Sequence, residues 1–439
     1  MIDFLGSPWL AYAVLAVVTA AARLRCGSWF APAAFVGLVW TFFTGASLLV
    51  ADYPVPGRGM WMLVVLIVAI QLGALIAHEI RPQRDSTAGL DRTIELESLI
   101  VPCRKWGLIC AALAFVGCVY FLFESLNEFG LPFTPLGVLE VGAKWTLLRN
   151  EDTFEPWAVR ILITWFHPAA LLGGILFACS RNRADRAIAI LTLLPAAAYG
   201  AFTGARSALL LGLTCWIGGY VASLLVRNHG QVPLFTVKRV SLLLAGAGLM
   251  IAMFGAVDTI RDSSWSQTFT FDLRQQKLAN YVFAPPAAFA DWYAHFDAID
   301  PQWGARTFAG EFDLLHLKTR TVGTYLEKSN ILGTESTNIY TIFRGFIEDF
   351  TGYGAVLVAM LLGGLAGFMY GSISHNSRRA IFWLSMFFAS TLYSPLISLF
   401  SFNGATLAWV VGWMVLTRPK SFPLFLRLPP APKSEASLG

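Results

Sequence analysis

The chain has 439 residues, of which 56% are hydrophobic and 13% charged, with a formal net charge of +5. Soluble globular domains carry about a quarter charged residues, so the composition excludes a water-soluble fold and points to an integral membrane protein. The positive balance is read by where Lys and Arg fall along the chain, because their placement orients spanning helices; no nucleic-acid partner is expected.

Apolar runs long enough to span a bilayer, about 17–25 residues, fall near 8–22, 29–51, 60–78, 106–123, 157–179, 187–203, 207–226, 240–257, 353–374, 381–400 and 404–417. They predict an all-α polytopic integral membrane protein of about eleven transmembrane helices, with one long loop between helices 8 and 9. The first run has no basic segment before it and no small-residue cleavage site after it, so it reads as a retained helix. Basic residues concentrate in the connections at 23–28, 79–105, 180–186, 227–239 and 375–380 and in the tail from 418. The short connections on the other face hold only Arg58, Lys144, Arg149 and Arg206, with Arg160 at a helix entrance. The positive-inside rule then places the N-terminus outside and the C-terminus in the cytoplasm. The chain divides into 1–257 (helices 1–8, with an outer-face segment at 124–156), 258–352 (the long outer loop), 353–417 (helices 9–11) and a Pro/Ser-rich tail at 418–439 that is expected to be disordered.

A loop as long as 258–352 is unusual and tends to be functional. Within it, "AAFADWYAHFDAID" (287–300) places Phe289, Trp292 and Phe296 on one helical face. Such a helix either lies on the membrane surface or packs on the bundle as a lid. The six cysteines form no C-x-x-C pair and no H-E-x-x-H occurs, so no metal or cofactor is expected on that basis. A carboxylate-bound Mg²⁺ stays open, because Asp and Glu abound in the loop.

Charges at the outer helix ends are the candidate chemistry, since desolvated charge in a membrane is costly and usually functional. Arg206 sits in the turn "TGARS", where Gly204 and Ala205 remove side-chain bulk and let a ligand approach the backbone. Arg261 follows helix 8, Arg149 and Arg160 flank the entry to helix 5, and Arg344, Glu348 and Asp349 precede helix 9. Arg344 and Glu348, four apart, share a face if helical. Each arginine alone is better explained by snorkelling to headgroups or pairing with a carboxylate; several on one face point to phosphate, which the planar guanidinium fork suits. For proton abstraction the loop offers Glu348, Asp349, Asp291, Glu311, Asp313, His295 and His316 without selecting one. His167, just before Pro168, reads as a kink-associated hydrogen bonder.

Three stretches resemble the Wzy-type O-antigen and oligosaccharide repeat-unit polymerases: "FTGARSALL" (202–210), "NYVFAPPAAFADWY…WGARTFAGEF" (280–312), and "STNIYTIFRGFIEDFTGYGAVLVAMLLGGLAGFMYG" (336–371). The chain departs from the family's pattern at Thr351, which interrupts a D-F-G run, and at Ala205, where Ser is common. The resemblance implies a GT-C-type glycosyltransferase in the bacterial inner (cytoplasmic) membrane, with a periplasmic N-terminus, long loop and active site. It implies donor and acceptor oligosaccharides carried on undecaprenyl diphosphate, joined with release of that lipid, with a polysaccharide co-polymerase setting chain length and a flippase as further partners. Under it, Arg206 and Arg261 stabilise the leaving diphosphate, and Asp349 or Glu348 deprotonates the acceptor. Arg149, Arg160 and Arg344 hold a second diphosphate or sugar, Tyr281, Trp292 and Tyr340 stack sugar faces, and Gly204 opens the turn. Packing is the commoner explanation for each of those aromatics.

Two other readings stand beside it. An O-antigen ligase or other GT-C-type transferase would share the scaffold, although "TNIYTIFRGFIEDF" looks more like the polymerases. A lipid-linked oligosaccharide transporter or flippase would show paired half-repeats and charges along a transmembrane path; here no duplication is evident and the charges gather on one face.

Overall fold

In the computed structural model, the described residues are 6–80, 89–148, 157–230, 281–297, 300–318, 325–331, 337–373 and 377–417. The expected span at 240–257, the tail 418–439, Arg149 and Arg261 lie outside them. The described chain is helical: α1 (Pro8–Cys26), α2 (Pro32–Val50), α3 (Gly57–Ile80), α4 (Gly89–Glu128), α5 (Pro135–Leu148), α6 (Trp157–Ile163), α7 (Phe166–Cys179), α8 (Arg183–Leu191), α9 (Leu194–Thr203), α10 (Arg206–Arg227), α11 (Pro285–Ala294), α12 (Ala309–Leu314), α13 (Ile342–Gly371), α14 (Ser377–Tyr393) and α15 (Asn403–Thr417). Among the described residues the only extended pairing is an isolated antiparallel bridge between Ser329 and Thr337.

Eight helical stretches are long and apolar enough to cross a membrane, with α6–α7 and α8–α9 each counting as one, and α15 is a shorter apolar helix. The chain is thus an all-α, multi-pass membrane protein. Its outward surface agrees, since Val17, Leu49, Leu357 and Leu361 are exposed, as a lipid-facing surface requires. Two helices begin well ahead of their expected bounds: α4 at Gly89, against 106, and α13 at Ile342, which draws the charged "FRGFIEDF" stretch into the element expected from 353.

Local chemistry explains the ends and breaks. Ser7 caps α1, accepting from Leu10 N at 3.4 Å, and Gly27 closes it at φ 69°. The α6–α7 span breaks ahead of Pro168, which has no N–H to give the carbonyl of Thr164. His167 fills that gap: its Nδ1 lies 3.1 Å from Thr164 O, and only a protonated Nδ1 can donate to a carbonyl. Pro285 and Pro286 open α11 where two N–H groups would otherwise be orphaned, and Ala287 N donates to Ser47 Oγ of α2 at 2.9 Å.

Two packed regions form the core. One gathers α4, α7, α10, α14 and α15; the other gathers α1, α2, α3, α11 and α13. Phe35 of α2 meets Phe388 of α14 edge-on at 4.8 Å. The helix α11 is not surface-lying: Ala287, Ala288, Phe289 and Ala290 are fully buried, and the segment packs on α3 and α2. That is the lid-like outcome of the two expected for it.

The tightest seam joins α3 and α13. A Cβ added at Gly73 would land on Met360 O, one at Gly363 on Ile70 O, and one at Gly367 on Ala74 O. Close backbone approach through small residues is how helices associate where lipid removes the hydrophobic drive. Gly364 differs, because its added Cβ would meet only Gly73 O at 3.7 Å. Gly363→Leu is therefore expected to destabilise the detergent-solubilised protein by at least about 2 kcal/mol, read as a lower thermal midpoint, whereas Gly364→Ala should leave the midpoint nearly unchanged.

Candidate functional site

The site is assembled at the start of α13. Thr341 precedes the helix in an extended conformation, and Thr351 interrupts it at φ 65°, ψ 175°. A left-handed φ at a β-branched residue costs on the order of 1–3 kcal/mol and persists only where its surroundings hold it. What holds it is a second segment. The carbonyls of Glu348 and Asp349 accept from Gln302 N at 3.0 Å and Trp303 N at 3.1 Å. The Asp349 carboxylate, fully buried, accepts from Arg306 N at 2.9 Å and Thr307 N at 2.7 Å. The 302–307 turn is thereby stitched to the end of the first α13 segment, and its Trp303 (φ 50°) and Gly304 (φ 94°) adopt left-handed backbone to make the fit.

This stitching brings Arg306 to Glu348. Arg344 Nε donates to Glu348 Oε1 at 2.8 Å, while Arg306 Nε stands 2.9 Å from Oε2 at ion-pair distance, without hydrogen-bond alignment. Arg344 and Glu348 are each only 4% exposed. The Arg344 Nη2 donates to Glu327 Oε2 at 2.7 Å, and Glu327 itself is 66% exposed. Around the Arg344 guanidinium, ring centroids lie at 3.9 Å (Tyr325), 4.3 Å (Tyr340) and 4.8 Å (Trp292). Burial pushes the Tyr325 phenol far above its ordinary range, reinforced by Glu348 and opposed by Arg344. Burial raises Tyr340 as well. Both rings therefore stay neutral near pH 7 and offer π-faces to the cation.

A cavity of about 530 Å³ opens beside this cluster, lined by Trp292, Tyr340, Arg344 and Glu348 and also by Arg306, Glu327 and Asp291. Part of its lining is braced by Ser329 Oγ donating to Asp291 Oδ2 at 2.6 Å and by the Ser329–Thr337 backbone pair at 2.8 and 2.9 Å. Volumes of this order suit a small-ligand site. Among the described residues no group of His, Cys, Asp and Glu could hold a metal ion.

Of the residues singled out from sequence, the fold brings Arg344, Glu348, Trp292 and Tyr340 together. Asp349 lies beneath them, outside the cavity lining, with both oxygens taken by backbone N–H groups, so it parts company with Glu348 and acts by positioning. A separate pair forms at the α9–α10 turn: Gly204 takes φ 62° as the C-cap of α9, and Arg206 opens α10 with its Cζ 5.6 Å from the Tyr281 ring centroid. Arg160, on α6, is exposed. Arg306, Tyr325 and Glu327 were not singled out, since only tertiary contact gives them meaning. "WGARTF" marked the neighbourhood of Arg306, but nothing local marked Tyr325 or Glu327.

No family model, no curated protein and no solved structure matches this chain.

The roles of the two adjacent carboxylates are separable. Asp349→Asn sets an amide NH₂ against a backbone N–H that had a carboxylate acceptor, and should destabilise by roughly 2–4 kcal/mol, loosening 302–307 as faster amide hydrogen exchange at Arg306 and Thr307. Glu348→Gln removes the buried partner of Arg344 and should itself cost about 3–5 kcal/mol, but it leaves both Asp349 acceptors in place, so exchange at those two amides should stay slower than in Asp349→Asn.

Proposed function

We propose that this chain is a membrane glycosyltransferase that joins lipid-diphosphate-linked oligosaccharide repeat units, releasing undecaprenyl diphosphate at the periplasmic face of a bacterial inner membrane. The observation that carries this reading is the buried Arg344–Glu348–Arg306 cluster beside a cavity walled by aromatic rings, at the end of a bundle of spanning helices. A lipid-linked substrate needs such an address, with its tail among helices and its sugars in a polar, aromatic-lined recess. The resemblance of 202–210, 280–312 and 336–371 to repeat-unit polymerases supports the same assignment, as does the crowding of Lys and Arg into alternate connections, which under the positive-inside rule favours a periplasmic N-terminus and site and a cytoplasmic C-terminus.

In this reading the cavity seats the acceptor sugar. Its hydroxyl oxygen attacks the anomeric carbon of the donor chain, the bond from that carbon to the diphosphate oxygen breaks, and undecaprenyl diphosphate leaves with the electron pair. Glu348, which borders the cavity, receives the hydroxyl proton; Asp349 holds Arg306 in place. The negative charge that grows on the leaving diphosphate is met by Arg206 at the N-terminus of α10, where a helix end favours anions, with Arg261 as its partner. One preorganised donor of this kind is worth about 10²–10³ in rate.

The test is purified protein in proteoliposomes with defined undecaprenyl-diphosphate repeat units, read as a product ladder. Arg206→Ala and Arg261→Ala should abolish the ladder while expression and folding persist, and Arg206→Lys should restore little, having the charge without the fork. Glu348→Gln should slow chain growth by about 10²-fold or more. Normal growth in Arg206→Ala would overturn the diphosphate role. Transfer of glycan to lipid A core in place of a ladder would mark a ligase, and substrate movement across the vesicle without product would mark a transporter.

A further inference from the structure

The segment that carries Arg306 also carries an apolar face that the cavity does not use. Leu314, Leu315 and Leu317 are 63%, 65% and 66% exposed, and Trp303 is 75% exposed. Apolar residues scattered singly over a surface need no explanation, but leucines crowded into one turn form a patch. Such patches mark contact with a partner or a membrane.

The place of the patch in the bundle decides between the two. α12 packs on the short 3-10 turn Leu399–Ser401 and on the start of α15. A Cβ added at Gly310 would land on Asn403 Oδ1, and the Phe308 and Phe400 rings lie 5.8 Å apart. The exposed large side chains of α15 are Val410, Trp413 and Met414, which share one face of the helix. Asn403, two turns ahead of Val410, stands on that face, so α12 continues a lipid-facing stripe. With 15 residues, α15 covers about 22 Å of a hydrocarbon core about 30 Å thick. Arg418 and Lys420 follow its C-terminal end. The missing span of about 8 Å therefore falls at the Asn403 end, at the level of α12.

The backbone of the patch suits a setting without water. Leu315 N donates to Glu311 O at 3.0 Å, His316 N to Asp313 O at 3.0 Å, Leu317 N to Phe312 O at 2.9 Å and Lys318 N to the same carbonyl at 3.3 Å. Each N–H from 315 to 318 is thus satisfied locally, as a lipid-exposed segment requires, and none is left for a docked protein to pair. His316 takes φ 54° within this turn. Lys318 ends it on polar ground, its Nζ donating to Gln302 Oε1 at 2.6 Å.

We propose that the 314–317 turn is a lipid anchor, its leucines seated in the headgroup/acyl boundary of the leaflet on the cavity's side, with Trp303 at the rim where indole rings collect. The partner is the bilayer itself. Trp303 and Arg306 belong to one turn held by Asp349, so the anchor sets the height of the cavity above the membrane, whatever ligand the cavity takes.

Site-directed spin labelling of the full chain in nanodiscs tests it. Leu315→Cys and Leu317→Cys, both at exposed positions, carry a nitroxide, and Leu357→Cys on the lipid-facing surface is the standard. The unsubstituted chain, labelled alike, accounts for the partly exposed Cys26 and Cys179. At 315 and 317 collisions with dissolved oxygen should exceed those with a water-soluble nickel chelate, placing the labels about 5–10 Å into the boundary. Preferential collision with the chelate, in nanodiscs where Leu357→Cys reports lipid, would put the turn in water and overturn the proposal. Low access to both reagents would mean that protein covers the face, and spin–spin broadening would identify that protein as a second copy of the chain; either result overturns it too.

Discussion

Asp349 has no exposed surface, and both of its carboxylate oxygens are held by the backbone N–H groups of Arg306 and Thr307. Desolvating a carboxylate is tolerable only where its lone pairs are satisfied, and here the satisfaction comes from a segment more than one helix away in sequence. That exchange fixes two things together. It terminates the first part of α13 against the 302–307 turn, and it delivers the Arg306 side chain to Glu348. Without it, Glu348 would have one cation partner and the cavity one wall fewer.

The cluster above it is built to be rigid on one side and adjustable on the other. Arg344 is wrapped by Tyr325, Tyr340 and Trp292 and tied to the buried Glu348, whereas its second carboxylate, Glu327, reaches in from solvent. Ion pairs with an exposed member contribute little to stability. The Glu327 contact is thus better suited to tuning the electrostatics of the recess than to holding the fold.

Much of the architecture was legible because spanning helices announce themselves by run length alone: the run expected at 29–51 is the helix Pro32–Val50. The Arg344–Glu348 pairing was legible too, since helical spacing puts i and i+4 on one face. The start of α13 at Ile342 was not, because three charges in "FRGFIEDF" lower the hydropathy of a stretch that is helical by virtue of its partners. Nor was the difference between Glu348 and Asp349, adjacent and chemically alike in sequence. Only the approach of residues 302–307 tells them apart, and no local pattern encodes that contact. Tyr325 and Glu327 were hidden for the same reason.

The seam between α3 and α13 has a consequence for how the cavity keeps its shape. Near its start, α3 also meets α11 backbone to backbone, for a Cβ at Gly59 would land on Ala290 O. Farther along it meets α13 at Ile70, Gly73 and Ala74. Trp292 belongs to α11 and Arg344 to α13, so two adjoining parts of the lining are registered against one common spacer that lends no side chain to it. Side-chain packing can drift by a rotamer, but main chain pressed on main chain has no such slack. The dimension that decides which ligand fits is therefore written into a helix remote from the chemistry, in residues notable for having almost nothing to offer a substrate.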